Sequence, residues 1–157
     1  MSFPAFLDTI SCSSPSNSSP YICEIDDLLS LFKNNYKHDL VENLDSIVKE
    51  ISKLIGNPIA AIIGGSILDN KIKKPKDIDV VVFYVQNSQT NNIESGSSER
   101  IMQKAAENSI DLKLFPFDYS PIFTLKMCSF YTHLFSSSRE PQNSKGCILL
   151  DLTDNND

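Results

Sequence analysis

The sequence predicts a single small domain of the α/β or α+β class, with helices packed against a mixed β-sheet. A long segment after residue 38 repeats apolar residues at steps of three and four, the period of a helix with one buried side. Short runs rich in Val, Ile and Phe lie between Gly, Pro and polar residues, which is typical of buried strands. The chain has 157 residues, 41% of them hydrophobic, enough for one core.

The chain divides into three parts by composition. Residues 1–20 are rich in Ser, Pro and Asn, and we expect loop or disorder there. This segment has no basic start, and Pro4 and Asp8 interrupt its short apolar stretch, so we expect no signal peptide. The predicted domain covers residues 21–153, and residues 154–157 form an acidic tail.

Four helices are predicted. The first is short, is capped by Asp26 or Asp27 and continues to Phe32. The second spans 38–55 and is expected to end at a turn formed by Gly56-Asn57-Pro58. The third and fourth span 99–107 and 122–135. On the inner side of the fourth helix we expect five residues: Leu125, Cys128, Tyr131, Leu134 and Phe135.

Four strands are predicted, at 59–63, 77–85, 110–115 and 147–152. The second reads DIDVVVFYV and is apolar on both faces after its opening Asp pair, as expected for a central strand. Polar loops are expected at 86–98 and 136–146.

Charge and cysteine usage exclude several classes of protein. The net charge of −6 disfavours broad nonspecific binding of nucleic acid, although it leaves room for a local basic pocket. No apolar run is long enough to span a membrane. The four cysteines form no C-x-x-C pair and neither histidine lies near one, so a zinc cluster has little support. We expect reduced thiols and a cytoplasmic location.

Two carboxylates open the clearest strand. Asp77 and Asp79 are two residues apart, so on a strand they share one face at a spacing of about 7 Å. Paired carboxylates beside a buried strand repel each other unless water or a cation compensates. Mg²⁺ suits this role because it prefers oxygen ligands and shares them with substrate phosphates. The alternative is that Asp77 closes a turn and Asp79 faces water.

A glycine turn precedes this pair. Gly64-Gly65-Ser66 follows a predicted strand, and ten residues separate Ser66 from Asp77. Glycines let a backbone approach a ligand closely, and free N–H groups together with the Ser66 hydroxyl can bind phosphate oxygens. The alternative is a simple turn between strands.

Together, Ile63-Gly64-Gly65-Ser66 and Asp77-Ile78-Asp79-Val80 resemble the signature of the DNA polymerase beta-like nucleotidyltransferase superfamily. The resemblance implies a nucleotidyltransferase-type mixed sheet flanked by helices, a Gly-Ser turn that holds a nucleoside triphosphate, and two Asp residues that bind Mg²⁺, with Mn²⁺ as the alternative ion. It also implies a third carboxylate from a neighbouring strand. Asp111 is the candidate and Asp118 the fallback, although Asp111 could instead pair with Lys113.

Basic and aromatic residues complete the candidate set. Arg139 and Lys145 precede the last predicted strand and are candidates for phosphate binding, or else are solvated charges. A stacking role on a base competes with a core role for three residues of the fourth helix: Tyr131, His133 and Phe135. The gap between the turn and the Asp pair carries a basic run that is interpreted as a solvated turn or as a phosphate contact: Lys71, Lys73, Lys74 and Lys76.

A wider resemblance covers most of the chain after residue 20. Gly65-Ser66, the stretch 75–81, and the segment with Tyr131, Leu134, Phe135 and Arg139 are similar to an uncharacterised family of small stand-alone nucleotidyltransferase-like proteins found in bacteria and mobile elements. One departure is that no basic residue follows Ser66 directly.

The expected function is transfer of a nucleoside monophosphate from a nucleoside triphosphate to an acceptor, which could be a protein, an RNA end or a small molecule. Asp77, Asp79 and Asp111 are the expected catalytic and metal-binding residues. The alternatives are a non-catalytic binding or regulatory module on the same fold, such as an antitoxin-like partner, and a nuclease-like hydrolase.

Overall fold

The computed structural model describes residues 18–86, 96–137 and 146–153. They form one small domain with a mixed five-stranded sheet and four helices, an α+β fold, which confirms the predicted class. In chain order the elements are β1 (Tyr21–Cys23), α1 (Ile25–Leu31), α2 (Tyr36–Leu54), β2 (Gly56–Gly64), β3 (Ile78–Gln86), α3 (Ser97–Glu107), β4 (Ile110–Pro116), α4 (Pro121–Ser136) and β5 (Ile148–Asp151).

The strands lie in the order β1-β5-β2-β3-β4. Strand β2 runs antiparallel to both of its neighbours, β3 and β5. Strand β3 runs parallel to β4, to which α3 connects it, and β1 runs parallel to β5. Because β3 has a strand on each side and helices over both faces, its residues 80–83 are all buried, as its apolar sequence predicts.

Side chains of successive strand residues alternate between two cores. Val80 and Val82 belong to the larger core, which includes buried residues of α2 and α3. Val81 and Phe83 belong to a smaller core on the other face, which includes residues of α4. The positions along β3 therefore fall on either the α2/α3 face or the α4 face.

The turn predicted at Gly56-Asn57-Pro58 is wrong, because these residues are the first of β2. A Cβ at Gly56 would lie 2.5 Å from the carbonyl oxygen of Val85 and 2.9 Å from the ring of Tyr84, so the glycine serves close approach of β3. A register shift between Pro58 and Ala60 accommodates the proline. Helix α2 does end just before, at Leu54.

Strand β1 was not predicted. It has three residues, too few for a periodic pattern to be recognised. Its register is fixed by pairing with β5, and the Ser19 hydroxyl accepts a hydrogen bond from the Cys147 backbone N–H at 2.9 Å. The first helix also begins earlier than predicted, after Glu24, whose backbone N–H donates to Asp27 at 3.0 Å.

The inner side of α4 differs in part from the prediction. Cys128, Tyr131 and Phe135 pack in the smaller core as expected, but Leu125 and Leu134 are 63% and 48% exposed. The helix is apolar around most of its circumference, so the apolar pattern alone does not determine which side faces the sheet. Across the described ranges, no helix has both the length and the apolar character needed to cross a membrane.

Candidate functional site

Gly64, Asp79 and Asp111 lie in one row across three adjacent strands. Gly64 pairs with Asp79 between β2 and β3, and Asp79 pairs with Asp111 between β3 and β4. Residues paired in this way carry their side chains on the same face of a sheet. Asp79 and Asp111 are therefore neighbours on the α4 face.

The glycine turn meets this row directly. Gly65 has φ +86° and ψ −166°, a backbone conformation that residues with a Cβ rarely adopt. A Cβ at Gly65 would also collide with Oδ2 of Asp79. The carboxylate of Asp79 consequently lies against the backbone of the turn, and a Cβ at Gly65 would force this carboxylate to move.

Gly64 is required for a different reason. A Cβ there would collide with the ring and Cβ of Phe135, near the end of α4. The ring thus packs on the bare backbone of the last β2 residue. Gly64 therefore lets Phe135 of α4 pack closely on the sheet, and Gly65 lets the turn pass close to Asp79.

The chain after the glycines is well anchored. Ser66–Leu68 form one 3-10 turn, closed by hydrogen bonds from Leu68 N–H to Gly65 O at 3.2 Å and from Asp69 N–H to Ser66 O at 3.1 Å. Ile67 and Leu68 are buried in the core, whereas Ser66 remains half-buried. The position of the Ser66 hydroxyl beside the turn is therefore set by two buried neighbours.

Lys37 is a residue of this region that sequence reasoning missed. It is 3% exposed, and its Nζ donates to the carbonyl oxygen of Asp69 at 2.8 Å and lies 5.5 Å from the ring centre of Phe32. Burial lowers the pKa of the Lys37 ammonium, and the charge of Asp69 acts in the opposite direction. A signal existed, because Lys37 precedes Val41 and Leu44 at helical spacing and so falls on the apolar stripe of α2.

Asp77 and Asp111 have surroundings different from those of Asp79. Asp77 is half-buried and lies immediately before β3, whose first residue, Ile78, donates its N–H to Ser109 O at 2.9 Å. Asp111 is exposed and accepts a bond from Lys113 Nζ at 2.5 Å, with side chains 55% and 46% exposed. Both alternatives for Asp111 are thus visible in the geometry: it lies next to Asp79 and is also in an ion pair.

The three carboxylates are not gathered into a ready metal cage. Within the described ranges, one group of three side chains brings its ligand atoms within 4.8 Å of one another, and it is His38, Asp39 and Glu42 on the first turns of α2. Asp39 and Glu42 are exposed there, so ordinary solvation accounts for them. Lys113 Nζ contacts Oδ1 of Asp111, so an ion held by Asp77, Asp79 and Asp111 would compete with this ion pair.

Asp118 is excluded as a fallback third carboxylate. Its Oδ1 accepts a hydrogen bond from the backbone N–H of Gln86 at 3.5 Å. Gln86 ends β3, and Asp79 is the second residue of that strand, so the two sites are about 23 Å apart at a rise of about 3.3 Å per residue.

The aromatic and basic candidates are of two kinds: some lie within the described residues and some lie outside them. Tyr131 and Phe135 pack in the smaller core, with Tyr131 5.8 Å from Phe115 and 5.7 Å from Phe135 between ring centres, which favours the core role. His133 is exposed. Arg139 and Lys145 lie outside the described residues.

The fold and the site define a small α+β domain in which the Asp79 carboxylate lies against a glycine turn, and Asp111 lies beside Asp79 on the neighbouring parallel strand. The chain belongs to the family of unknown function DUF6932, whose model matches residues 7–151. Comparisons with curated proteins and with solved structures find no match.

Proposed function

We propose that this protein is a metal-dependent nucleotidyltransferase that moves a nucleoside monophosphate from a nucleoside triphosphate such as ATP to an acceptor: a protein, an RNA end or a small molecule. The observation that carries the proposal is the contact between the carboxylate of Asp79 and the turn at Gly65. It brings an anionic, cation-binding group next to backbone that can approach phosphate, and a triphosphate bound with a divalent cation needs both.

The donor set fits a hard divalent cation. Asp79 and Asp111 offer carboxylate oxygens from paired positions on neighbouring strands, about 4.8 Å apart at the backbone, and Asp77 adds a third. These residues would hold Mg²⁺ or Mn²⁺, which would neutralise phosphate charge and lower the pKa of an acceptor hydroxyl.

The residues of the chain have separate roles in the transfer. Backbone N–H groups of Gly64, Gly65 and Ser66, and the Ser66 hydroxyl, donate to the triphosphate oxygens and hold the α-phosphorus in line with the acceptor. The acceptor oxygen forms a bond to the α-phosphorus while the bond to the bridging oxygen breaks. Pyrophosphate leaves with the electron pair, and the acceptor proton passes to a carboxylate oxygen of Asp111. Arg139 and Lys145 are proposed to contact the leaving phosphates.

Two double variants test the metal assignment. A protein that binds metal and nucleotide is stabilised by RT ln(1 + [L]/Kd), so its melting temperature rises with Mg²⁺ and ATP. We expect Asp77→Asn with Asp79→Asn to lose this rise while keeping its fold. The matched control is Asp39→Asn with Glu42→Gln, which disables the His38 group instead. A rise that survives the first pair and disappears with the second would transfer the metal site to α2.

Catalysis is tested separately with α-phosphate-labelled nucleoside triphosphates. Label should pass to an acceptor with the wild-type protein and not with the Asp77→Asn, Asp79→Asn double variant.

The location is proposed to be the cytoplasm, for which the free thiols of Cys23, Cys128 and Cys147 provide support.

A non-catalytic binding or regulatory module is the second candidate. The ion pair between Asp111 and Lys113 favours it, because this pair occupies the third carboxylate. The absence of a basic residue directly after Ser66 points the same way. This candidate is distinguished by a nucleotide-dependent rise in melting temperature without transfer of label to any acceptor.

A further inference from the structure

A strip of positive charge lies between the glycine turn and Asp77. We name residues 69–76 the lysine loop, and four of its eight residues are lysines: Lys71, Lys73, Lys74 and Lys76. All four are exposed. The net charge of the chain is −6, whereas four lysines and one Asp give this loop a charge of 4 − 1 = +3, so the loop is a distinct surface.

These lysines form no ion pair within the described part of the chain. None of the ion pairs found there involves them, whereas Lys49, Lys104 and Lys113 each have a carboxylate partner. The one acidic residue of the loop is Asp69, and its Oδ1 accepts from the backbone N–H of Lys71 at 2.8 Å. Their ammonium groups therefore remain available to an external anion.

The loop is anchored at both ends beside the candidate site. At the first end, the carbonyl oxygen of Asp69 accepts from Lys37 Nζ at 2.8 Å and from the Ile72 N–H at 3.2 Å. At the other end Pro75 is buried, and Asp77 leads directly into β3. A ligand on the loop would thus lie next to both the turn and the carboxylates.

We propose that the lysine loop binds the phosphate backbone of a single-stranded nucleic acid, whose terminal hydroxyl is the acceptor at the carboxylate site. This inference rests on the proposed function and names the acceptor class that it left open. Four exposed cations distributed over six residues offer separate contacts, which suits a run of phosphates better than one compact triphosphate. The negative charge on the rest of the chain disfavours the wide contact that a duplex would make.

The chemistry of the strip predicts how it binds. The loop contains no aromatic residue on which bases could stack, so contact falls on phosphates and sequence preference is weak. Each phosphate contacted on a single strand contributes about −0.7 to the slope of log K against log salt, so four contacts give about −2.8.

Binding is tested by fluorescence anisotropy with short labelled single-stranded RNA and DNA of mixed sequence, without metal or nucleotide. The loop variant replaces all four lysines by Gln. The matched control replaces four exposed lysines elsewhere by Gln: Lys33, Lys49, Lys53 and Lys126. Both variants have a net charge of −6 − 4 = −10. We expect the loop variant to bind at least about tenfold more weakly than the control, with a salt slope reduced by about 2.8.

Each outcome supports or overturns the proposal. Weaker binding by the loop variant than by the control, with RNA, with DNA or with both, supports it and shows which kind of strand the loop binds. Equal weakening of the two variants overturns it, because the effect would then be net charge. No binding by the wild-type protein, or equal competition by a poly-glutamate peptide, also overturns it.

The readouts separate this proposal from the proposed function. If only the lysine loop proposal fails, the rise in melting temperature with Mg²⁺ and ATP remains and oligonucleotide binding is absent. If only the nucleotidyltransferase proposal fails, oligonucleotides bind and that rise is absent. If both hold, label from the nucleoside triphosphate appears on the oligonucleotide with the wild-type protein and is reduced at least about tenfold with the loop variant.

Discussion

The carboxylate of Asp79 and the α-carbon of Gly65 are in such close contact that no side chain fits between them. Asp79 reaches this position because β3 pairs it with Gly64 and directs its side chain to the α4 face. Gly65 reaches it because a positive φ turns the chain away at the end of β2. A strand residue and a turn residue fourteen positions apart in the sequence therefore depend on each other.

Gly65→Ala tests this contact. The positive φ costs a residue with a Cβ about 1–3 kcal/mol, and the collision with Asp79 adds about 1–3 kcal/mol. Gly96→Ala is the comparison, because Gly96 has a positive φ in the left-handed helical region (φ +92°, ψ 4°), and a Cβ there meets only Glu99 Oε2 at 4.0 Å. In urea unfolding, Gly65→Ala should lose more free energy of unfolding than Gly96→Ala. Equal losses would show that neither the backbone conformation of Gly65 nor its contact with Asp79 costs more than the left-handed conformation of Gly96.

Gly64→Ala should displace Phe135 and loosen α4. Overpacking of this kind costs about 1–3 kcal/mol. Phe135→Ala removes the ring but keeps the Cβ, 2.5 Å from a Cβ at Gly64, and so relieves part of the overlap. The double variant should therefore be more stable than the sum of the two single changes predicts, by about 0.5–3 kcal/mol. The measurement is a double-mutant cycle of the free energies of unfolding. Strict additivity would contradict the packing of the ring on Gly64.

Lys113→Met should increase apparent Mg²⁺ affinity if Asp111 binds the ion. The exposed pair is worth about 0–1 kcal/mol, so its removal can lower the Mg²⁺ midpoint by up to about fivefold. Asp111→Asn should raise the midpoint. The control is Lys49→Met, which breaks another exposed pair, with Asp45 at 2.5 Å, on α2. A midpoint that ignores both Asp111→Asn and Lys113→Met would assign Asp111 to the ion pair alone.

The free energy of unfolding should fall as the pH rises from about 9 to about 12. Burial, with smaller contributions from Asp27 and Glu24, raises the pKa of Cys23 from 9.0 to about 12. In this range the unfolded chain has released the thiol proton and the folded chain retains it, so stability declines with pH. Cys23→Val should flatten this decline, as measured by urea unfolding at several pH values.

Cys128→Val is the control for that experiment. Burial also raises the pKa of Cys128, but this thiol is only half-buried, whereas Cys23 is 1% exposed. Its replacement should therefore flatten the decline less than Cys23→Val does. A pH profile that is identical for wild type and Cys23→Val would contradict a buried, protonated thiol.

The sequence predicts most of the fold because α2 has a clear helical period and four of the five strands contain short runs of apolar residues. It places α2, β3 and β4 to within two residues. It misassigns the start of β2, because Gly56 and Pro58 resemble a turn although the glycine serves close strand pairing. It misses β1, whose existence depends on pairing with β5 rather than on its own residues.

The candidate site is predictable in part. Alternation along a strand is local, so the shared face of Asp79 and Val81 follows from sequence. The pairing of Asp79 with Asp111 depends on the register between β3 and β4, which local pattern does not fix. The burial of Lys37 and the contact of Phe135 with Gly64 arise from tertiary packing and were not predicted.

The register of β3 determines both which of its residues are buried in the core and where the Asp79 carboxylate lies. Val81 and Phe83 are buried beneath α4 in the same alternation that turns Asp79 toward Gly65. A slip of one residue would send all three side chains to the opposite face and would put Val80 and Val82 in their place. A misaligned strand would thus lose its packing together with its acidic group. Insertions in the lysine loop, by contrast, would leave the pairing of β3 with β2 and β4 unchanged.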